Sequence, residues 1–218
     1  TNVLGNYGRI FSEYVFLKDF RNEKLANYIS INGQKYLDDI IKKQKKVVFI
    51  SGHFNNFELM AMQLEKYGVN LTAIYRPLNN IFLNKTMEKI RTHFICRKQI
   101  KKGRSGSREL VKNFKEGSSI ALMIDQRVRE GISVPFFQKS CSTTTIPAQL
   151  VKKYECEIVP IYIERKKNHF FEMTVSQPLV FNKSLSIDDI SVELNKILEK
   201  MILKNLDQWI WTHNRWQK

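Results

Sequence analysis

Cysteine and long apolar runs are both scarce in this sequence. The three cysteines, Cys96, Cys141 and Cys156, are odd in number and form no C-x-x-C pair, which argues against a disulfide framework or zinc ribbon and favours a reducing compartment. No apolar run approaches the roughly 18 to 20 residues of a membrane-spanning helix, and no signal peptide opens the chain. A glycine-rich phosphate loop is also absent, and His93 with Cys96 is the closest approach to a metal-ligand pair. We therefore predict neither a metal nor a cofactor.

Acidic residues are also few. Thirty-six Lys and Arg stand against 21 Asp and Glu, a formal net charge of +15, which predicts attraction to nucleic acid, anionic lipid headgroups or an acidic protein without choosing among them. The 218 residues are 43% hydrophobic and 11% aromatic, enough for one sizeable core, so we expect a single domain over residues 1–218. The first residue is Thr1 rather than methionine, and we expect a fragment from which an N-terminal part, including any membrane anchor, is missing.

The most informative stretch covers residues 46–58. Residues 47–50 have the β-branched, apolar composition of a buried strand. A five-residue spacing inside one helix would place His53 and Glu58 on different faces. We therefore predict that His53 lies in a loop before a helix that carries Glu58, where the two side chains can meet. The helix itself is predicted from apolar residues at helical spacing, at Phe57, Met60, Ala61 and Leu64.

This histidine and glutamate predict base chemistry. Glu58 can accept a hydrogen bond from one imidazole nitrogen of His53, which fixes the tautomer and raises the basicity of the other nitrogen. No serine or cysteine elbow of the G-x-S-x-G kind accompanies them, so we expect the activated hydroxyl to belong to the substrate. The alternative is an ordinary loop histidine, with Asn55 capping the helix and Glu58 closing a capping box.

Two further predicted strands end in polar residues. Arg76 follows the strand predicted over residues 69–75, and Asp125 follows the strand predicted over residues 118–124. Ligands gather outside the carboxyl ends of strands in α/β sheets, so we expect both side chains to face the crevice that holds His53. A solvated arginine beside a turn and a turn aspartate are the alternatives.

The remaining patterns complete an α/β fold with a central mixed sheet flanked by helices. Residues 5–36 have helical periodicity, and residues 97–108, rich in basic residues, glycine and serine, predict a mobile loop over the site. The aromatic, basic end at residues 209–216 suits a membrane interface or, more commonly, a strand-like core contact. The other predictions are a short amphipathic piece over residues 36–41, helices over residues 80–94, 107–114, 146–154 and 187–206, a short apolar segment over 132–137, a hydroxyl-rich loop over 140–145, and a hairpin of strands 158–164 and 170–175 around a turn at 165–168.

Six short blocks of sequence occur in a fixed order along the chain. They are G-H-F-N-N-F-E at 52–58, Y-R-P at 75–77, D-Q at 125–126, V-P-F-F with T-T-T at 134–137 and 143–145, V-P at 159–160, and Q-W-I-W-T-H-N-R-W at 208–216. In this order the chain resembles, over roughly residues 5–218, the late acyltransferases of lipid A biosynthesis, the lauroyl and myristoyl transferases of Gram-negative bacteria. The departures from the family pattern are Asn55 for glycine and Phe57 for tryptophan, and Asn55 adds a side chain that bears on acceptor geometry.

The resemblance implies a glycerolipid-acyltransferase-like fold with a His–Glu dyad, an acyl carrier protein thioester as donor, and a hydroxyl of a lipid A precursor, an anionic glycolipid, as acceptor. It makes His53 the general base and Glu58 its orienter. It also implies a membrane surface as partner, on the cytoplasmic face of the bacterial inner membrane, and an N-terminal membrane helix that is missing from this chain. The substrate-binding or structural residues of the site would be Asn56, Arg76, Arg91 and Asp125.

Two alternatives to this function remain at the level of the sequence. The first is an acyltransferase of the same fold that acts on another glycolipid, a glycerophospholipid or an amino-acid lipid. It stays open because acceptor choice depends on loop shape. A basic nucleic-acid-binding domain is the second. It has no helix-turn-helix, RRM or KH signature here and leaves His53 and Glu58 unexplained, so we expect no nucleic acid among the partners.

Overall fold

The structure, a computed structural model, describes residues 2–167 and 169–216, apart from the side chain of Arg104. A π-helical turn, Arg91–Ile95, follows the fifth helix. In these ranges the α-helices are α1 Asn2–Glu13, α2 Leu17–Arg21, α3 Gln34–Lys42, α4 Glu58–Tyr67, α5 Ile81–Ile90, α6 Arg104–Lys115, α7 Ile146–Tyr154 and α8 Ile187–Lys204. The strands are β1 Ile29–Asn32, β2 Val48–Ser51, β3 Leu71–Tyr75, β4 Lys98–Lys101, β5 Ser119–Met123, β6 Ile132–Phe136, β7 Lys139–Thr143, β8 Ile158–Arg165 and β9 Phe171–Val175.

A seven-stranded sheet with the order β1-β9-β8-β2-β5-β3-β4 forms the centre of the described part of the chain. Its neighbouring strands are parallel except β8 and β9, which form an antiparallel hairpin with Ile163 opposite Met173. The α/β fold with a central mixed sheet is therefore confirmed, as is the C-terminal hairpin. Asn168, in the predicted turn of that hairpin, lies outside the described residues.

β2 occupies the middle of the sheet because its composition allows burial on both faces. Val48, Phe49 and Ile50 are each at most 1% exposed, and the strand pairs in parallel with β5 on one side and β8 on the other. Near-continuous apolar runs are typical of parallel strands that are covered on both faces. The carboxyl ends of β2, β3 and β5 consequently lie at one edge of the sheet, where the polar residues noted in the sequence follow.

The predicted mobile loop over residues 97–108 is wrong. Lys98–Lys101 form β4, an edge strand beside β3, and α6 begins at Arg104. Gly103 separates these elements with a φ of 147°. Gly106 allows α6 to lie against the strand, since a Cβ atom there would come within 1.9 Å of the Lys101 carbonyl oxygen. The glycines therefore serve a close strand-to-helix connection.

Two short strands were also missed by the sequence patterns. Residues 29–32, predicted as part of a helical region, form β1 and pair with β9, while residues 140–143 of the predicted loop belong to β7, which pairs with β6 in a separate two-stranded sheet. In β1 only Ile29 and Ile31 alternate with more exposed residues, too short a pattern to outweigh the helical spacing around it. The other predicted elements are present within about four residues of their expected bounds.

The C-terminal segment returns to the middle of the molecule. Trp209 is 2% exposed and forms an isolated antiparallel bridge with Phe54, which confirms the expected core contact for this end of the chain. Across the described ranges, none of the helices combines the length and the apolar character that crossing a membrane requires.

Candidate active site

His53 and Asp125 meet at the carboxyl edge of the sheet. Each lies two residues beyond a strand, His53 after β2 and Asp125 after β5, and these strands are neighbours. His53 Nδ1 lies 2.8 Å from Asp125 Oδ1, and the His53 backbone N–H donates to Asp125 Oδ2 at 2.7 Å. Trp209 Nε1 donates to the same Oδ2 atom at 2.9 Å. These contacts hold the carboxylate in a site where it is 3% exposed.

The partner of Nδ1 determines the tautomer of His53. An ionised carboxylate only accepts hydrogen bonds, so Nδ1 carries the ring proton and Nε2 keeps its lone pair. No described residue forms a hydrogen bond with Nε2, and the side chain is 18% exposed. The Phe57 ring packs edge-on against the imidazole, with ring centroids 4.7 Å apart. His53 thus presents an unprotonated nitrogen in a fixed orientation.

Burial and charge act in opposite directions on both members of this pair. Burial lowers the pKa of His53, but the charge and hydrogen bond of Asp125, with a smaller contribution from Glu58, raise that pKa above its ordinary value. Burial raises the pKa of the Asp125 carboxyl, yet the His53 ring and the hydrogen-bond donors bring that pKa below its ordinary value. His53 is therefore a stronger base than a free imidazole.

Glu58 contacts Arg91 and Tyr14 rather than His53. Arg91 Nε and Nη2 donate to Glu58 Oε1 at 2.9 and 2.6 Å, and the Tyr14 hydroxyl donates to the same oxygen. Within the described part of the chain, no hydrogen bond joins Glu58 to His53. The expected His–Glu hydrogen bond is absent from this structure, and Asp125 is the acid that holds the ring. Glu58 acts on the imidazole through its charge.

The capping box that Asn55 and Glu58 could have formed is absent from this helix start. α4 begins at Glu58 without a side-chain cap. Asn55 is fully buried at a φ of 41°, where its Nδ2 donates to Gln208 Oε1 at 2.6 Å and its Oδ1 accepts from Arg165 Nη2 at 2.8 Å. Asparagine tolerates this left-handed conformation better than most residues. Tertiary partners rather than local capping therefore shape the loop after His53.

Asn56 is turned away from His53. Its side chain is fully buried, and Nδ2 donates to Glu13 Oε2 at 2.8 Å. Glu13, in α1, also forms an ion pair with Arg165 at 2.5 Å. Asn56 thus joins the loop to the first helix, and it does not line the cavity that opens beside His53.

A cavity of about 410 Å³ opens beside His53, a size typical of small-ligand sites. Of the predicted site residues, His53, Glu58, Arg76 and Arg91 line it, whereas Asp125 contacts the His53 ring from outside the lining. The cavity therefore joins a base and cationic groups to an apolar wall. That wall is formed by side chains of α4, β3, β5 and α7, namely Ala61, Ala73, Ile74, Ala121, Leu122 and Ile146.

Sequence analysis did not single out three contributors to this site: Tyr14, Trp209 and His213. Tyr14 binds Glu58, Trp209 binds Asp125, and His213 lines the cavity. Trp209 and His213 belong to the last of the six sequence blocks, so the signal for them was present. Tyr14 had no local signal, because it lies 44 positions from Glu58 in the chain.

The profile of the bacterial lipid A biosynthesis acyltransferase family matches this chain over residues 1–218. The chain is 23% identical over 206 residues to lipid A biosynthesis lauroyltransferase of Escherichia coli (strain K12), covering 90% of this chain and 64% of that protein. It is 22% identical over 205 residues to the lipid A biosynthesis acyltransferase of Haemophilus influenzae, covering 90% and 63%. The chain thus spans slightly less than two thirds of the length of these relatives.

Among solved structures, the 1-acyl-sn-glycerophosphate acyltransferase PlsC of Thermotoga maritima matches with a TM-score of 0.53 and 13% identity, over 94% of this chain and 81% of that chain. At this identity the likeness concerns the fold, which is that of the glycerolipid acyltransferases. The family match is more specific. The chain belongs to the bacterial lipid A biosynthesis acyltransferase family.

Proposed function

We propose that this protein transfers a fatty acyl chain from an acyl carrier protein thioester to a hydroxyl of a lipid A precursor, with His53 as general base. The observation that carries the proposal is the unprotonated Nε2 of His53 beside a cavity with an apolar wall, with Asp125 on the opposite ring nitrogen. No serine, threonine or cysteine in the described ranges forms a hydrogen bond with Nε2. A hydroxyl supplied by the acceptor is the natural partner of such a base.

The reaction is a direct transfer. The acceptor hydroxyl gives its proton to His53 Nε2 as its oxygen attacks the thioester carbon, and the ionised Asp125 stabilises the imidazolium that forms. The tetrahedral intermediate collapses with cleavage of the C–S bond, and the imidazolium returns the proton to the leaving thiolate. The products are an ester and a free thiol. Base catalysis of this kind contributes about 10²- to 10⁴-fold.

The cavity wall supports binding of both substrates. Small side chains, including Ala61, Ala73 and Ala121, leave room for an acyl chain. Arg76 lines the same cavity and forms no ion pair with a described acidic residue. Burial, and then the charge of Arg76, lower the pKa of the nearby Lys102. Two neighbouring cations without a described carboxylate suit a phosphate of an anionic glycolipid.

Arg91 has a different task, because Glu58 already occupies its guanidinium. Its charge compensates a buried acid at the start of α4, which is 7% exposed. We therefore assign Arg91 a structural role in the site.

The formal charge of +15 attracts an acidic partner from a distance, and we attribute recruitment of the carrier protein to this charge.

Exposed apolar side chains support a membrane surface as partner. Tyr7 of α1 and Leu78, just before α5, both line the cavity, so α1 and the start of α5 flank its mouth. Apolar groups of this kind, with lysines nearby, suit insertion among lipid headgroups on the cytoplasmic face of the bacterial inner membrane. The exposed side chains are Leu4 and Phe11 on α1, Val15 just after α1, and Ile81, Phe82 and Leu83 on α5.

Co-sedimentation with anionic vesicles tests this surface. Phe82 is 80% exposed, so Phe82→Asp should weaken vesicle binding severalfold without changing the melting temperature. Val180→Asp is the matched control, because Val180 is similarly exposed but lies far from the cavity. It follows Leu179, which pairs with Ile158 at the start of β8, and the cavity is at the carboxyl ends of the strands. Equal binding by the two variants would remove the start of α5 from the membrane surface.

The test of the whole proposal is mass spectrometry of lipids after incubation with acyl carrier protein loaded with several chain lengths. Acceptors of three kinds are offered: a lipid A precursor, a lysoglycerophospholipid and an amino-acid lipid. We expect an ester on the lipid A precursor with wild type and none with His53→Ala. An ester on another lipid alone would change the acceptor, and none on any lipid would contradict acyl transfer. Tight DNA binding at physiological salt would favour the nucleic-acid alternative.

A further inference from the structure

The segment Asp125-Gln126-Arg127 holds two histidines. It binds His53 through the Asp125 carboxylate and His213 through the Arg127 backbone N–H, which donates to His213 Nε2 at 2.9 Å. Both rings line the same cavity. The proton transfers proposed above use His53 alone, so the presence of His213 on the cavity wall needs another explanation.

The two rings leave opposite nitrogens without a partner among the described residues. A backbone N–H only donates, so His213 Nε2 is unprotonated and the ring proton is on Nδ1. Nδ1 forms no hydrogen bond with a described residue. The atom is not fully buried, so a ligand can reach it. His53 has its proton on Nδ1 as well, but there Nε2 is the free nitrogen. One ring therefore accepts a proton and the other donates a hydrogen bond.

Its surroundings keep His213 neutral. Burial lowers the pKa of His213 and outweighs the Asp125 charge, which raises it, while positive charge on His53, Arg215 and Lys102 lowers the pKa further. A neutral imidazole N–H stabilises negative charge on an oxygen without giving up its proton. His213 therefore has the protonation state that a hydrogen-bond donor requires.

Arg215 fixes the segment that carries His213. The arginine is fully buried, and Nη1 donates to the carbonyl oxygens of Gln126 and Ser142 at 2.8 and 2.7 Å. Nη2 donates to Thr143 Oγ1 at 2.9 Å. The C-terminal segment is thus tied to the loop that carries Asp125. Donors held in place before the substrate arrives cost no reorganisation during the reaction.

We propose that His213 is a second catalytic residue, whose Nδ1–H donates a hydrogen bond to the thioester carbonyl oxygen as that oxygen becomes an oxyanion. This inference rests on the proposed acyl transfer. The proton stays on His213 Nδ1 throughout, while the proton of the acceptor hydroxyl passes to His53 Nε2 and then to the thiolate. No bond to His213 forms or breaks.

Two substitutions separate the two nitrogens of His213. His213→Gln keeps an acceptor for the Arg127 N–H but loses the Nδ1 donor, whereas His213→Asn keeps an N–H near the Nδ1 position and loses the acceptor. We expect His213→Gln to lower turnover about 10²- to 10³-fold with little change in the KM for the donor, as for loss of one oxyanion donor. His213→Asn should retain more activity and melt at a lower temperature. The reverse order of activities would overturn the proposal.

A donor with sulfur in place of the thioester carbonyl oxygen tests the contact itself. Sulfur is a weak hydrogen-bond acceptor, so wild type should react far more slowly with this dithioester than with the thioester. The ratio of the thioester rate to the dithioester rate should be much smaller for His213→Gln. Equal rate ratios in the two proteins would overturn the hydrogen bond from His213 to the carbonyl oxygen, even if the variant is slow for structural reasons. Wild-type turnover by His213→Gln would also overturn the inference and leave acyl transfer standing. A wild-type protein that acylates no lipid would contradict both the proposed acyl transfer and the role of His213.

Nitrogen-15 NMR of labelled histidine gives a readout that does not depend on turnover. At a pH above the pKa of His53, we expect the single ring proton on Nδ1 in both His53 and His213, because a carboxylate holds one ring and a backbone N–H holds the other. A proton on Nε2 of His213 would contradict the donor role.

Discussion

Asp125 and Glu58 are both buried acids near the His53 ring, yet they bind different groups. Asp125 accepts hydrogen bonds from the ring, from the His53 backbone N–H and from a tryptophan indole. Glu58 accepts from Arg91 and Tyr14. The acid that contacts the ring lies 72 positions from His53 in the chain, while the one five positions away does not contact it. Proximity in the sequence did not select the partner of the base.

The register of the sheet explains the difference. β2 and β5 are parallel with Ser51 opposite Met123, so the residues two positions beyond, His53 and Asp125, are neighbours as well. Glu58 stands in the first turn of α4, where the Arg91 guanidinium reaches its carboxylate and compensates its charge. Strand register thus supplies the acid that holds the base, and the helix supplies an acid for an ion pair.

The largest effect should come from removing the ring on which both acids act. His53→Ala is expected to reduce transfer about 10²- to 10⁴-fold, because the general base is lost. The fold should survive, because the residue lies in a loop, but the melting temperature should fall, since the buried Asp125 carboxylate loses one of its three hydrogen-bond donors. Steady-state rates and thermal melting measure both quantities. A folded variant with more than about a third of the wild-type rate would show that neither acid serves a base at this position.

Asp125→Asn should follow, with a loss of about 10²- to 10³-fold, because an amide cannot stabilise the imidazolium. Activity requires unprotonated His53, so kcat/KM of wild type should rise with pH through a His53 pKa that Asp125 holds above its ordinary value. In the variant, burial is no longer offset by this carboxylate, and the acid limb should move to lower pH. A pH–rate profile with the same acid limb in both proteins would remove Asp125 as the acid that controls His53.

Glu58→Gln should affect stability more than turnover. It leaves the Arg91 charge buried without its carboxylate, which we expect to cost about 3 kcal/mol in the free energy of unfolding. Turnover of the folded variant should fall less than about tenfold, because Glu58 acts on His53 through space. Denaturant unfolding and steady-state rates measure the two effects.

Glu65→Gln is the matched control for that variant. Glu65 lies on the same helix and pairs with Arg21 at 2.6 Å, with its side chain 15% exposed, and it does not line the cavity. We expect a smaller loss of stability and unchanged turnover. If Glu58→Gln were as slow as Asp125→Asn at a temperature where both are folded, Glu58 would be the orienter during turnover and the roles of the two acids would be reversed.

The smallest expected effect is on the pH profile of Glu58→Gln. The charge of Glu58 raises the pKa of His53, but less than Asp125 does. Its removal should therefore move the acid limb of kcat/KM to lower pH by less than Asp125→Asn does. An upward shift, or one as large as that of Asp125→Asn, would contradict the order of the two acids.

Much of the fold followed from local patterns in the chain. The apolar run before Gly52 predicted the central strand, the spacing from Phe57 to Leu64 predicted α4, and proline after Arg76 marked the end of β3. The basic, glycine-containing stretch before Leu110 was misjudged, because the same residues suit a mobile loop and a close strand-to-helix connection. Only the approach of α6 to the Lys101 carbonyl oxygen distinguishes these cases.

The site was predictable only as far as strand ends and sequence blocks allow. Composition and periodicity are local, so they established that His53, Arg76 and Asp125 follow strands and that parallel strands would bring them to one edge. The acid that holds His53, the burial of Asn56 against α1 and the position of His213 on the cavity wall depended on contacts between distant parts of the chain. The hydrogen bonds at Asp125 and Arg127 join residues 72 and 86 positions apart. No short stretch of sequence shows which residues such contacts join, because strand register and C-terminal packing create them.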